Sequence, residues 1–438
     1  MKFTIMNDKL DTNLMHPREQ IALVISRIYN RGLTTTSGGN ISVADENGDI
    51  WITPSGVDKG ALRPSDIMCI KKDGTIAGPH KPSSEYPFHK AVYQSRPDLR
   101  ALIHAHPPAL VSFSIVRKIP DTNIVAQAKH ICGPIGYADY ELPGSEALGE
   151  KIAASFDKGY KAIIMENHGT VLGGSDLADA FQRFETLEFC ARTILKGKRL
   201  GALRYLDDKQ IESFEYQKSS LLPELENVTH PSDERERRTE ICDIIRRACR
   251  QGLMISSYGT VSRRWRNNDF LITPTNVQRW DIESEDIVQI RDGKREPGKI
   301  PSRGVRLHQE IYNRNPGINS IIITQPHNLM AFGITGAEFN VRTIPESWIF
   351  LQDVPLLPFG VQIDDFPKIL EKLSESGPAI IIENDAVLIT GDSLLQTFDR
   401  LEVAEFSARS IIMGNSLGEM IPINDEQVED LRRKFLNG

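Results

Sequence analysis

Apolar positions along this chain recur with two different spacings, and the change from one to the other marks its elements. From Pro17 to Tyr29 they fall three and four residues apart, with His16-Pro17 opening the stretch and Gly32 just beyond it. That pattern predicts a helix with proline in its first turn and glycine past its end. Ile50-Trp51-Ile52-Thr53 predicts a strand, Tyr86 to Ser95 a helix stopped by Pro97, and Leu99 to His106 a mostly apolar strand. Ser145 to Phe156 reads as a helix, Lys161 to Met165 as a buried strand, and Ser175 to Lys196 as a long helix N-capped by Ser175. Helices and strands alternate irregularly, and the early strands are turn-rich. An α/β fold with a central, largely antiparallel sheet layered with helices fits this better than a doubly wound parallel sheet.

The pattern is then written a second time, at an offset of about 220 residues. SGGNIS (37–42) is answered by SYGTVS (257–262), and ITPSG (52–56) by ITPTN (272–276). KPSSEYPFHKAVYQSRPDLRALIHAHP (81–107) is answered by IPSRGVRLHQEIYNRNPGINSIIITQP (300–326), and MENHGTVLGG (165–174) by IENDAVLITG (382–391). The period is far longer than a solenoid unit of 20–50 residues. It predicts a duplicated domain: 1–218, a polar linker with two prolines over 219–237, and 238–438.

Composition changes this picture little. A chain of 438 residues with 40% hydrophobic and 25% charged content has room for two globular domains. No apolar run approaches the roughly 20 residues of a membrane span, and the start resembles no signal peptide. The expectation is a cytoplasmic protein without a membrane role. Cys69, Cys132, Cys190, Cys242 and Cys249 show no CxxC spacing and are expected to be reduced and mostly buried. A net charge of −7 argues against nucleic acid. The local run Arg235, Arg237, Arg238, Arg246, Arg247, Arg250 alternates with acids and is expected to be a solvated helix face.

The candidate chemistry is concentrated in the first copy. In Leu102-Ile103-His104-Ala105-His106 the two histidines are two apart, so a strand points both imidazoles the same way. His168 follows directly on the strand 162–165, at a position where function often sits on a rigid scaffold. Three neutral imidazoles suit zinc, and also iron, cobalt or manganese, and leave positions open for substrate oxygens. Ser83, Ser84 and the acid Glu85 precede the helix 86–95, where hydroxyls and first-turn amides meet at a positive dipole end. Asn40 in Gly38-Gly39-Asn40 and Ser55-Gly56 after Pro54 add donors and close-approaching backbone. Each is an ordinary turn by itself. Together with a metal site they suggest a ligand with phosphate at one end and metal-binding oxygens at the other.

These segments, GGN-I-S, TPSG, SSE, HAHP and ENHG in this order, resemble the class II aldolase/adducin superfamily, and within it the sugar-phosphate aldolases that act on fuculose and rhamnulose phosphates. The resemblance spans nearly the whole chain, twice. It implies a three-layer α/β/α sandwich around a mixed, largely antiparallel sheet, present in tandem. It implies that His104, His106 and His168 hold a divalent metal, most simply zinc, that Glu85 is the acid/base, and that Asn40, Ser55, Gly56, Ser83 and Ser84 bind phosphate. The activity implied is retro-aldol cleavage of a small phosphorylated ketose through a metal-stabilised enediolate, with Glu85 desolvated and raised in pKa. An epimerase, dehydratase or decarboxylase of the same superfamily, or a non-catalytic adducin-like module, would share the fold. Family members commonly draw a tyrosine from a neighbouring subunit, and Tyr137 matches that position best.

The second copy lacks the set. Glu85, Ser84, His104, His106 and His168 are answered by Gly304, Arg303, Ile323, Gln325 and Asp385, and Asn40 and Gly56 by Thr260 and Asn276. Arg303 is expected to form a salt bridge. A homo-oligomer is expected, a dimer forming a ring of four domains or something larger, in which the copy without metal ligands has a structural or regulatory role.

Overall fold

A computed structural model describes residues 9–215 and 222–436. The described residues form two compact units, the first within 1–122 and 128–192, the second within 123–127 and 193–438. The boundary expected at 218, and 219–221 of the expected linker, lie outside the described residues.

The first unit is built on β1 (Asn40–Ala44), β2 (Ile50–Ile52), β3 (Met68–Ile70), β4 (Ile76–Ala77), β5 (Ala101–Ala105), β6 (Gly136–Ala138), β7 (Ala162–Met165) and β8 (Gly169–Gly174). Their order in the sheet is β4-β3-β2-β1-β5-β8-β7-β6, antiparallel throughout except for the edge pair β6/β7. Its helices are α1 (Pro17–Asn30), α2 (Tyr86–Ser95), α3 (Pro108–Ile115), α4 (Ala126–Cys132), α5 (Glu146–Asp157) and α6 (Leu177–Gly197), of which α4 and α6 also enter the second unit. The strand period of two decides what each face buries. Leu102, Ala138, Ile163, Met165 and Val171 share one face and pack against Phe88 and Val92 of α2 and Leu148, Ile152 and Phe156 of α5. Each of the larger side chains, Ala138 excepted, contributes about 1.5–3 kcal/mol on burial. α1 and α3 pack against β1 and β8, completing the helix–sheet–helix layers.

Helix starts follow the sequence closely. His16 caps α1 by accepting from the Arg18 amide, and Ser145 caps α5 by accepting from the Leu148 amide. α6 differs from expectation. Its cap is Asp176, whose carboxylate accepts the Asp179 amide at 2.8 Å, while Ser175 lies one residue too early and bonds the Asp179 side chain.

The second unit repeats the design with β9 (Thr260–Arg266), β10 (Asp269–Ile272), β11 (Val288–Arg291), β12 (Lys294–Arg295), β13 (Ser320–Thr324), β14 (Leu356–Leu357), β15 (Ala379–Ile382) and β16 (Ala386–Gly391), in the order β12-β11-β10-β9-β13-β16-β15-β14. Of its helices, α7 (Asp208–Glu215) lies over Ala126, Tyr258 and Phe359 through Leu206, Ile211 and Phe214, which explains why this segment groups with the second unit. α8 (Ser232–Gln251) corrects one expectation. Arg238 is not on a solvated face: it is buried against Glu234 and Glu296 and donates to the Ser284 carbonyl, because two carboxylates and a carbonyl together offset its desolvation. The expected linker is also partly fastened, since Glu224 bridges Arg295 and the Leu225 amide donates to the Arg295 carbonyl. All five cysteines are buried thiols outside any disulfide. Among the described residues no helix is long and apolar enough to cross a membrane.

Candidate metal centre

β5 carries His104 on the same face as Leu102, and continues to His106 beyond its last residue. β1 lies antiparallel beside it with Asn40 opposite His104 and Ser42 opposite Leu102, so Asn40, Ser42 and His104 line one face under α2. Gly39 makes this junction possible. Its φ is +69°, and a Cβ there would stand 2.6 Å from the His104 carbonyl oxygen. Gly39→Ala is therefore expected to cost at least the ~1–3 kcal/mol of a left-handed non-glycine residue and to displace β5, measurable as a lowered melting temperature of the first unit.

His168 arrives from the β7–β8 turn, where Asn167 takes φ 51°. The turn is held by Ser114 of α3, which donates to the Met165 carbonyl at 2.6 Å and accepts the His168 amide at 3.0 Å. Nothing in the sequence around Ser114 signals this. The ligand atoms of His104, His106 and His168 lie within 4.8 Å of one another, the one such cluster among the described residues. His104 Nδ1 donates to the Thr170 carbonyl at 3.0 Å, which leaves Nε2 as the free lone pair. Burial, reinforced by the neighbouring imidazoles, pushes His106 down to about 3 and His168 to about 4, so both are neutral as ligands must be.

Glu85, at the N-cap of α2, turns its carboxylate to this cluster, 3.2 Å from His104 Nε2 and 3.4 Å from His168 Nε2. Burial raises its pKa, but His104, His168 and the Asn40 amide outweigh that and hold it well below the usual carboxylate range. The direction is opposite to the raised value expected, so Glu85 is ionised in this arrangement and can only accept hydrogen bonds. His104 Nε2, His106 Nε2 and Glu85 Oε1 are buried atoms without a hydrogen-bond partner. Convergent orphaned nitrogens and a carboxylate are the donor set a divalent ion satisfies.

The expected phosphate-binding segments are joined. Pro54 bridges Pro82, the Ser55 amide donates to the Lys81 carbonyl, and the Ser83 amide donates to the Thr53 carbonyl. Ser55, Gly56 and Ser84 are exposed beside the buried Ser83. Asn40 is engaged differently from expectation: its Nδ2 donates to Glu85 at 2.7 Å and its Oδ1 accepts from His89, which orients the carboxylate. His89 drew no expectation from the sequence, although HKAVY (89–93) in the first copy is answered by HQEIY (308–312) in the second. Tyr137 does not join the cluster. It pairs with Ile164, so the pleat turns its ring away from the face shared by His104, Val171 and Ile163.

At the corresponding place in the second unit Arg303 stacks 4.3 Å from the centre of the Phe214 ring and donates to the Phe214 carbonyl, in place of the close salt bridge expected. Its charge still reaches Asp385, which is buried and accepts from Gln127 at 3.3 Å. Burial pushes Asp385 up to about 6 against the opposing influences of Arg303, Gln127 and Gln362. A carboxyl raised in the fold stabilises most when protonated, below its ordinary value near 4. That stability is lost as pH rises through about 6, by about 3 kcal/mol for a shift of this size. Asp385→Asn is expected to flatten this dependence and raise the second unit's melting temperature at pH 8.

An eight-stranded mixed sheet layered with helices thus gathers three imidazoles and a carboxylate beside a serine-bearing helix N-terminus, a donor set that suits a divalent metal. The chain belongs to the class II aldolase and adducin N-terminal domain family, whose pattern matches residues 19–195 and again 239–412. It is similar to the 5-deoxy-D-ribulose 1-phosphate aldolase of Bacillus thuringiensis, 32% identical over 46% of this chain and 94% of that one. It is 31% identical to the 3-oxo-tetronate 4-phosphate decarboxylase of Haemophilus influenzae, over 43% of this chain and 90% of that one. With the L-fuculose phosphate aldolase of Methanocaldococcus jannaschii it shares 34% identity over 41% of this chain and 95% of the relative.

Proposed function

We propose that the first unit is a metal-dependent aldolase that cleaves a small phosphorylated ketose to dihydroxyacetone phosphate and an aldehyde. The observation that carries this is the meeting of three clustered imidazoles, two of them with buried partnerless nitrogens, with the Glu85 carboxylate. A divalent ion held by His104, His106 and His168, zinc or otherwise manganese, cobalt or iron, supplies a Lewis acid for the carbonyl and hydroxyl oxygens of the substrate. Glu85 carries the proton of the carbon beside the carbonyl, and its fixed position removes the entropy of finding it. Ser55, Gly56, Ser83, Ser84 and the first amides of α2 hold the phosphate, with the free N–H of Asn40 nearby. Tyr137 serves the aldehyde oxygen from a second copy of the chain, in a homo-oligomer.

Similarity to a 3-oxo-tetronate 4-phosphate decarboxylase favours a second reading, decarboxylation of a phosphorylated 3-oxo acid. Both reactions break a bond to the carbon beside a carbonyl and need the same electron sink. The metal-loaded protein, incubated separately with ketose 1-phosphates and 3-oxo-acid phosphates, is expected to release dihydroxyacetone phosphate from the former. Release of carbon dioxide from the latter alone would establish the second reading. Purified protein devoid of divalent metal and inert on both would point to an adducin-like module.

A further inference from the structure

Taking Glu85 as the proton acceptor proposed above, we propose that His89 is a positioning residue, the donor that locks the Asn40 amide and through it aims the Glu85 carboxylate. His89 is fully buried on α2. Its Nδ1 stands 2.6 Å from Ser42 Oγ, which is 2.7 Å from the Tyr93 hydroxyl, and its Nε2 meets Asn40 Oδ1. Asn40 Nδ2 in turn meets Glu85 Oε2 at 2.7 Å.

The direction of every hydrogen follows from the carboxylate end. Glu85 is ionised and only accepts, so Asn40 must present its amide N–H to it and its oxygen to His89. His89 must then carry its proton on Nε2, and as burial lowers its pKa to about 3 it is neutral and accepts at Nδ1. Ser42 donates there, and the Tyr93 hydroxyl, 2.7 Å from Ser42 Oγ, donates to the Ser42 carbonyl at 3.1 Å. The outcome is a one-way chain anchored by Tyr93 and running Ser42 to His89 to Asn40 to Glu85, in which His89 cannot reverse without leaving a buried group unpaired.

The duplication supplies a control within the same molecule. Ser262, His308 and Tyr312 repeat the first three members, with Ser262 Oγ 2.7 Å from both His308 Nδ1 and the Tyr312 hydroxyl. There Thr260 and Gly304 stand where Asn40 and Glu85 would be, and His308 Nε2 is buried without a partner. The packing value of the Ser–His–Tyr group is therefore common to both units. The hydrogen bond from Nε2 is present only where there is a carboxylate to aim.

The test compares His89→Phe, His89→Gln and His308→Phe in the full-length, metal-loaded protein. Outer partners of a metal-site group typically contribute about 10–100-fold in activity. His89→Phe is expected to lower kcat by about that factor, with KM and bound metal unchanged. His89→Gln, whose amide nitrogen can reach Asn40, is expected to recover most of the loss. His308→Phe should lower the melting temperature yet leave kcat alone. A long-range proton–nitrogen spectrum of the wild type should show His89 protonated on Nε2. Equal kcat losses in His89→Phe and His308→Phe would make the role structural, and a loss that follows metal content would make it one of metal retention. An Nδ1-protonated His89, or an undiminished kcat in His89→Phe, would also overturn the proposal. If Glu85→Gln itself leaves turnover unchanged, the assignment of Glu85 fails, which is a separate result.

Discussion

Glu85→Gln is expected to lower turnover by roughly 10²–10⁴, the usual contribution of a positioned acid/base, while fold and bound metal stay as they are. Glutamine has the same shape, so the buried site keeps its packing, and its amide oxygen can still accept from Asn40 Nδ2. What is lost is the charge 3.2 Å from His104 Nε2 and the ability to take a proton. In barrier terms the loss is about 3–5 kcal/mol. Metal analysis and melting temperature measured beside turnover separate the chemical effect from an indirect one. Unchanged turnover with full metal would mean that Glu85 serves only to hold the imidazoles.

The parts of this site that follow one local period were legible in the sequence. A strand through Leu102 to His106 admits only one arrangement of His104 and His106, and the structure has it. The helix over Tyr86–Ser95 is bounded as its apolar spacing and Pro97 predict, which puts Glu85 at an N-cap. The sheet order shared by the two units was foreshadowed by the aligned repeats.

Features that depend on a partner remote in the chain were not legible. Arg238 reads as one more arginine on a charged helix until Glu296, 58 residues on, comes to lie beside it. Asn40 was expected, from the resemblance, to contact phosphate; its β1–β5 register and the approach of α2 also engage it with Glu85 and His89, which the sequence does not show. Tyr137 was chosen as the best match to the tyrosine that the resemblance implies. Only the parallel pairing of β6 with β7 shows which way its ring points. Arg303 was expected to seek a carboxylate, and the aromatic ring of Phe214 takes it first. His89 had a visible signal, retention as His308 in a copy that has otherwise lost its chemistry, and the physical reason for it appears only once Ser42 and Tyr93 are seen to converge on the ring.

His168→Ala is expected to abolish bound divalent metal and with it detectable turnover, while Gln325→Ala and Asp385→Ala leave the metal content at one ion per chain. Three nitrogen ligands with open positions are what a catalytic site of this kind requires, and two imidazoles leave too few. His168 is the better choice over His104 for the decisive variant. His104 is fully buried beside Phe88, so its removal also opens a cavity, whereas His168 sits partly exposed in a turn held by backbone bonds to Ser114. Metal that binds the folded state alone raises stability by about 2.7 kcal/mol at a hundredfold excess over Kd. The wild type should therefore melt at a higher temperature when zinc is added, and His168→Ala should not. Asp385 is buried and its carbonyl accepts from Gln325, and neither Gln325 nor Ile323, which answers His104, offers a nitrogen lone pair, so the second unit cannot assemble an equivalent set. Two ions per chain, or one that survives in His168→Ala, would place the metal elsewhere and remove the basis for assigning catalysis to the first unit.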